Sequence, residues 1–536
     1  MRQVRHPSVS PSSAVVLLLA LMAAALPGVA CADDGEMGPT RPPWQSNGPN
    51  IRDADWRYAG PVDTIYTADN APDAPAVDAL EQVESITQYG ITWTFEQPVR
   101  AGQFVTGDWY IVGPATVVQI DPKPLFGDEV KDHPDWEIIN ERAVTEDRFE
   151  GAWARHGSVL NMQVSASRSA FDSRLAHRHY DPEQFAHLPI SMESGDALIS
   201  TISAPDPLGA YSGHGQPVLA AAVLTSLEAP VPADAFRPAY VDREQHIYLA
   251  RNLQRQRLHA LPRVDAAPAN LSEWARFYQR PWLDIVAWGY ANPELNSPRY
   301  GQRITQGTSQ ASLLLHMDYP ALDKEQLLIG FMQYSIDLWG MARAAGEAGE
   351  RVDAWTGHGG FGGGRKWAIM FGGLLFDDES MSQPTKTYPS LVFGEDTQTA
   401  DGQSWTGHDT VFTSHPRWAD ESLELHRPED WAAIREENGR RRGFQSDGYR
   451  RCCTSIVWPG QALVARIMRA EEDWDHEPFF RYVDRWMEEE DIQATARVVE
   501  AARGNDDSWT FRQLPTDPFQ QEMWDMYRHD LPPAKP

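Results

Sequence analysis

The stretch Trp355-Thr-Gly-His358-Gly-Gly-Phe-Gly-Gly-Gly-Arg365-Lys366, followed by WAIMFGGLLF over 367–376, decides how the chain is read. Glycine loses more conformational freedom on folding than any other residue, so a loop this rich in it is expensive to order. Such a loop is kept where backbone must approach something closely or turn with positive φ. Here it delivers a His, an Arg and a Lys to the mouth of a segment apolar enough to be buried on all sides. The alternative reading is a tight inter-helix turn with a capping His. A phosphate-binding loop is excluded, because Arg365-Lys366-Trp367 stands where Lys-Ser/Thr is required.

Working outward, the period of the hydrophobic pattern changes once. From about 83 to 235 it is two: Ile91–Phe95, Tyr110–Val112, Thr116–Ile120, Ala197–Ile202 and Val218–Leu224 read as short strands between Pro/Gly/Asp-rich turns. Short strands at this spacing argue for a β-sandwich. Within this region, Asn161 through Arg174 breaks the alternation and reads as a long inserted loop, functional or merely superficial. After Arg237-Pro238 the period becomes helical, over Leu271–Tyr278, Tyr300–Met317, Lys324–Ala345, Lys366–Phe376, Pro459–Arg469, Pro478–Glu490 and Ile492–Ala502. Lys324–Ala345 reads as an amphipathic helix with one apolar face. Long loops rich in Gly, Trp, His and Asp join these helices, as in scaffolds whose site is built from loops at one end. Trp355-Thr-Gly-His358 recurs as Trp405-Thr-Gly-His408, a spacing that fits a repeated helical hairpin.

The expected architecture is therefore multidomain α and β: a signal segment at 1–32, a linker at 33–80, a β-sandwich at 81–236 and an α/α-toroid-like helical domain at 237–536. Arg2 and Arg5, the apolar run Ala14–Leu26 and Ala30-Cys31-Ala32 form an export signature, which predicts a periplasmic or extracellular location. Cys31 raises a lipid anchor as an alternative, disfavoured by Gly28 three places before it. No other stretch reads as a membrane span. Of Cys452-Cys453, two buried thiols are expected ahead of a vicinal disulfide. A net charge of −29 argues against nucleic acid or an anionic membrane surface as a partner. No spacing has metal-ligand specificity, and no cofactor is expected.

The second half resembles exported bacterial carbohydrate-active proteins with an α/α toroid behind an N-terminal β-sandwich, the polysaccharide lyases of the alginate/heparinase type being the nearest group. The resemblance is carried by Gly357–Lys366, Phe393-Gly-Glu-Asp-Thr-Gln398, Tyr449-Arg-Arg-Cys-Cys-Thr454 with Trp458-Pro-Gly-Gln461, and Trp474–Trp486. It spans roughly residues 270–490 and is architectural more than catalytic. It implies a polysaccharide substrate. β-Elimination of a uronate needs a carboxylate clamp, a base for the C5 proton and an acid for the leaving oxygen. Arg365 and Asn292 are the candidates for the clamp, His358 for the base and Tyr449 for the acid. Lys366, His408, Glu395, Asp396, Arg450 and Trp405 are candidate substrate contacts. Two further readings stay open. One is glycoside hydrolysis by the Glu395/Asp396 pair, and the other is a glycan-binding protein using Trp and Tyr platforms.

Overall fold

The computed structural model describes residues 62–132, 136, 151–164, 169–174, 180–203, 218–284, 301–357, 359–413, 423–427, 430, 433, 450–488 and 516–535. The N-terminal part is one strongly curled mixed sheet, a half-barrel, and the C-terminal part is helical.

The strands are β1 (Glu81–Gln88), β2 (Ile91–Gln103), β3 (Trp109–Val112), β4 (Ala115–Asp121), β5 (Leu125–Phe126), β6 (Ala154–Arg155), β7 (Ser158–Leu160), β8 (Ile190–Met192), β9 (Ala197–Ser203) and β10 (Val218–Leu227). Eight of them form the large sheet in the order β7-β9-β10-β3-β2-β4-β8, with β1 also on β2. The pairs are antiparallel except β10 with β3. The predicted strands are thus present, but among the described residues they join one sheet where two facing sheets were expected. The long β2 explains the curl. Its register with β1 shifts between Val83 and Ser85, and with β4 between Thr94 and Phe95, and such irregularities bend a strand and increase its twist. Its first half pairs with β4 and its last four residues with β3, so one strand serves both wings.

Alternation assigns the faces. Ala222 and Leu224 of β10 and Leu198 of β9 point into a core with Trp93, Ile111 and Val117. Ala221, Val223 and Ile199, one residue out of phase, join a much larger cluster that continues into the helices through Trp274, Phe331 and Trp367. One side of the sheet is therefore floor to the helical body.

The helices are α1 (Ser272–Phe277), α2 (Gly301–Leu315), α3 (Ala321–Glu347), α4 (Arg365–Phe376), α5 (Glu379–Ser382), α6 (Pro384–Thr387), α7 (Gly394–Gln398), α8 (Trp458–Ile467), α9 (Glu471–Trp474), α10 (Glu477–Glu488) and α11 (Pro518–Tyr527). Six of the seven predicted helices are present within a few residues, and 492–502 lies outside the described residues. Helix α3 is not the one-faced helix expected, since Leu327 through Ala342 are all buried. It is a central helix, with α1, α2 and α4 packed around it. Helix α4 is buried all round, as its sequence predicts.

Three other expectations change. Residues 62–80 are not a free linker: Val62 is buried in the main core, and Pro72 O accepts a 2.7 Å hydrogen bond from Arg251. In the inserted segment, Phe171, Asp172 and Arg174 are buried, and Arg174 grips Asp172 through two 2.9 Å bonds, so this part is core and not surface decoration. The two Trp-Thr-Gly-His copies do not repeat a hairpin. Trp355 is buried and stacked on Phe393, whereas Trp405 lies half-buried in a turn between β11 (Thr399–Asp401) and β12 (Thr410–Phe412).

The strap from 228 to 270 carries a buried clamp between sheet and helices. Arg237 donates to Asp108, in the β2–β3 turn, at 3.0 Å and to Asp337 of α3 at 2.6 Å. One guanidinium cannot neutralise two buried carboxylates, and burial pushes Asp337 up to about 6 from 3.8, with the Asp108 charge adding to the rise and Arg237 opposing it. A carboxyl whose folded pKa is raised binds its proton more tightly folded than unfolded, so stability falls as pH rises from 3.8 to about 6. The expected result is that Asp337→Asn flattens this component: thermal midpoints of variant and parent should diverge across that window, the parent losing ground as pH rises. A constant difference between the two would refute the assignment.

Candidate functional site

The glycine loop ends at Gly364, whose φ of +93° is one that residues with a side chain rarely adopt. A Cβ there would also stand 2.5 Å from Thr305 N, a backbone atom of α2 that has no room to retreat. Close approach of the loop to α2 is thus the physical reason for glycine. We expect Gly364→Ala to destabilise the fold by more than the roughly 1–2 kcal/mol of left-handed backbone alone. Urea titration checks this, and a midpoint equal to the parent's would contradict the contact.

Arg365 opens α4 and folds back under the loop. Its Nε and Nη2 meet the two carboxylate oxygens of Asp284 at 2.7 Å each, and Nη1 donates to Phe361 O at 2.7 Å and Gly363 O at 2.8 Å. Both side chains have no exposed surface. This is the two-pronged geometry for which Arg suits carboxylates. Here, though, the carboxylate is the protein's own. Arg365 was expected to hold a substrate carboxylate, and the structure shows its fork committed to Asp284 and the loop backbone.

Helix α7 fixes the other side of the loop. Glu395 Oε1 accepts from Gly364 N at 2.6 Å, Thr397 Oγ1 accepts from Gly357 N at 3.1 Å, and Gln398 Nε2 donates to Gly359 O at 2.7 Å. The residues on both sides of position 358 are therefore tied to one turn of helix. Glu395 is completely buried, and that burial raises its carboxyl above the usual range, with Asp396 adding to the rise and the Gly364 and Glu395 backbone N–H groups opposing it. Its Oε2 has no hydrogen-bond partner.

Lys366, next to Arg365, points to the opposite flank. Its Nζ lies 2.5 Å from Asp396 and donates also to Trp474 O, over the Trp474 ring. Burial lowers its ammonium below the usual range, with Asp396 and then Glu395 opposing the fall. Asp396 takes a second bond from Trp474 Nε1 at 2.9 Å. Adjacent carboxylates thus occupy different surroundings: Glu395 is buried against glycine backbone, and Asp396 faces a cation and an indole N–H.

A second cluster forms on Glu424. Its carboxylate takes Arg450 at 3.1 Å, Arg485 at 2.7 Å and Phe412 N at 2.6 Å, while Trp405 N donates to Glu424 O at 2.8 Å. His408 is half-buried in the same turn as Trp405, its N–H held by Ser404 Oγ at 3.0 Å. The two clusters share a ladder, because Thr399 at the end of α7 pairs with Phe412.

Of the predicted site residues, Arg365, Lys366, Glu395 and Asp396 come together around the loop, and Arg450, Trp405 and His408 gather beside them. His358, Tyr449 and Asn292 lie outside the described residues. Cys453 is disulfide-bonded, so the expected pair of buried thiols does not hold. Sequence reading missed Asp284, Trp474 as a lysine partner, Glu424 and Arg485. Trp474 and Arg485 carried a signal, both inside the Trp474–Trp486 stretch. Among the described residues no group of three His, Cys, Asp or Glu is placed to hold a metal ion, and no helix is long and apolar enough to cross a membrane. Searched against known proteins, the chain matches no family model, no curated protein and no solved structure.

Proposed function

We propose that this chain is an exported polysaccharide-degrading enzyme that cleaves a uronate-containing polymer by β-elimination, with His358 as the base and Tyr449 as the acid. The observation that carries this reading is the fastening of the loop. Bonds from Thr397 and Gln398 to Gly357 and Gly359 hold the backbone immediately on either side of His358. A base must be held within hydrogen-bond reach of the proton it removes, and rigid support of that kind is what such a residue requires. Arg450, next to Tyr449, is in turn fixed through Glu424 and Phe412 to the same ladder. In this reading the helical region is the toroid-type scaffold, Lys366 and Arg450 shape the site electrostatically, and Arg365 holds the loop in place. Asn292 remains the candidate clamp for the uronate carboxylate.

A second reading, glycoside hydrolysis, is favoured by one observation: burial raises the Glu395 carboxyl while its neighbour Asp396 stays paired with a lysine. A carboxyl raised by burial, beside a second carboxylate, is the pattern of a general acid and its partner. The deciding experiment incubates purified protein with uronate polysaccharides and follows both ultraviolet absorbance of the unsaturated product and reducing ends. Absorbance rising with reducing ends supports elimination. Reducing ends alone move the assignment to Glu395, and neither signal with glycan bound leaves the binding-protein reading.

A further inference from the structure

Two histidines stand where the strap meets the end of α2. His316, the residue after α2, is fully buried, and His259 of the strap is nearly so. Their rings face each other, with centroids 5.4 Å apart and planes inclined by 38°. The backbone fixes that arrangement. His259 N–H donates to His316 Nδ1 at 3.1 Å, Leu261 N–H to His316 O at 2.8 Å, and Asp318 N–H to Leu261 O at 2.8 Å. Leu261 and Met317 thereby form a parallel bridge. Lys324, in the first turn of α3, donates to His259 O at 3.1 Å. One short length of strap, 259–261, is thus fastened to the 316–318 turn, and one of the fasteners is an imidazole nitrogen.

That fastener works in one protonation state. Nδ1 accepts a hydrogen bond while the ring is neutral, whereas imidazolium has two N–H donors and no acceptor. A proton on His316 Nδ1 would set N–H against N–H at the His259 backbone. The surroundings add to the conflict. Among the described residues, the charges bearing on the pair are cations from three other elements: Lys324 of α3, Arg469 just after α8 and Lys535 in the stretch after α11. Arg469 also donates to Pro532 O at 2.8 Å, which keeps that stretch in place, and Asp318 faces Lys324. Burial lowers both imidazoles below their usual range, His316 the further. His259, Lys324 and Lys535 add to the fall of His316, and Lys535, Arg469 and Lys324 to that of His259.

We propose that His259 and His316 form an acid-release latch, which holds residues 259–261 to the end of α2 at neutral pH and frees them when the pair takes up a proton. A folded pKa below the ordinary 6.5 means that the opened form binds more protons, so the latch is at full strength above 6.5 and weakens as pH falls below it. Elsewhere the strap has fastenings of its own, Arg237 to Asp108 and Asp337 and Arg255 to Glu325, which keep the opening local. The latch stands whether or not the chain degrades polysaccharide.

Hydrogen exchange on the full chain, read by mass spectrometry between about pH 7 and about pH 5 and corrected for the intrinsic pH dependence, tests it. Peptides carrying 259–261 and 316–318 should open more readily as pH falls, by up to about tenfold per pH unit for each proton taken up, while α4 stays protected. In His316→Asn, whose side-chain carbonyl accepts at every pH, this acid dependence should disappear even if the variant is less stable throughout. His259→Phe keeps the backbone donor and a ring at that position, so it should retain the opening with a shallower pH slope. Equal acid dependence in the parent and both variants would overturn the latch, as would a parent that opens nowhere in this range or everywhere at once.

Discussion

Arg365→Met should lower stability by about 3–5 kcal/mol, the usual consequence of removing one partner from a buried ion pair. The reason is what remains: Asp284 would be left with no exposed surface and no guanidinium, and Phe361 O and Gly363 O would lose their donor. Arg365→Lys should recover little, because an ammonium cannot span both carboxylate oxygens and two carbonyls at once. Arg365→Met combined with Asp284→Leu should recover much of the loss, since the stranded charge goes with its partner. Urea unfolding followed by helical circular dichroism measures all three. The contrary result is specific. If Arg365 held substrate instead, the Met variant would unfold at the parent's midpoint and show only a raised KM.

That prediction marks the limit of what was legible. The apolar run 367–376 announced a buried helix, and it is one, because ten consecutive positions without charge can only pack inward. Strand positions in the first half were legible for a similar reason: alternation is local. Which strands pair is not local, and the long β2, reaching two wings through a bulge, is a property of register that no single segment displays. The amphipathic reading of 324–345 failed because the face away from its apolar residues, with polar Gln333 and Asp337, is buried as well. In the fold they are buried against Arg237, which lies about a hundred residues earlier in the chain. Arg365 illustrates the same gap at the site. Its residue type suggested an anion, correctly, but the anion is Asp284, eighty-one residues away, in a stretch whose Pro-Trp-Leu context gives no sign of a carboxylate partner. Long-range charge pairing was the missing information throughout.

His358→Ala should lower turnover by about 10²–10⁴-fold, the usual contribution of a positioned base, and leave stability nearly unchanged. Both halves follow from how the loop is fastened. Among the described residues, the loop is anchored through the backbone groups of Gly357, Gly359 and Gly364 and through the Arg365 fork. If His358 is the base, truncating its side chain removes chemistry and leaves these anchors in place. Gln398→Leu should do the opposite. It deletes the bond to Gly359 O, leaves His358 in the sequence, and should cut turnover less while lowering stability by about 1 kcal/mol. The contrast separates a base from a capping residue. A His358→Ala protein that loses stability and keeps its turnover would place the imidazole in the fold and return the loop to the simpler role of a tight turn between helices. A variant that keeps its midpoint and loses the unsaturated product would place it at the reacting proton.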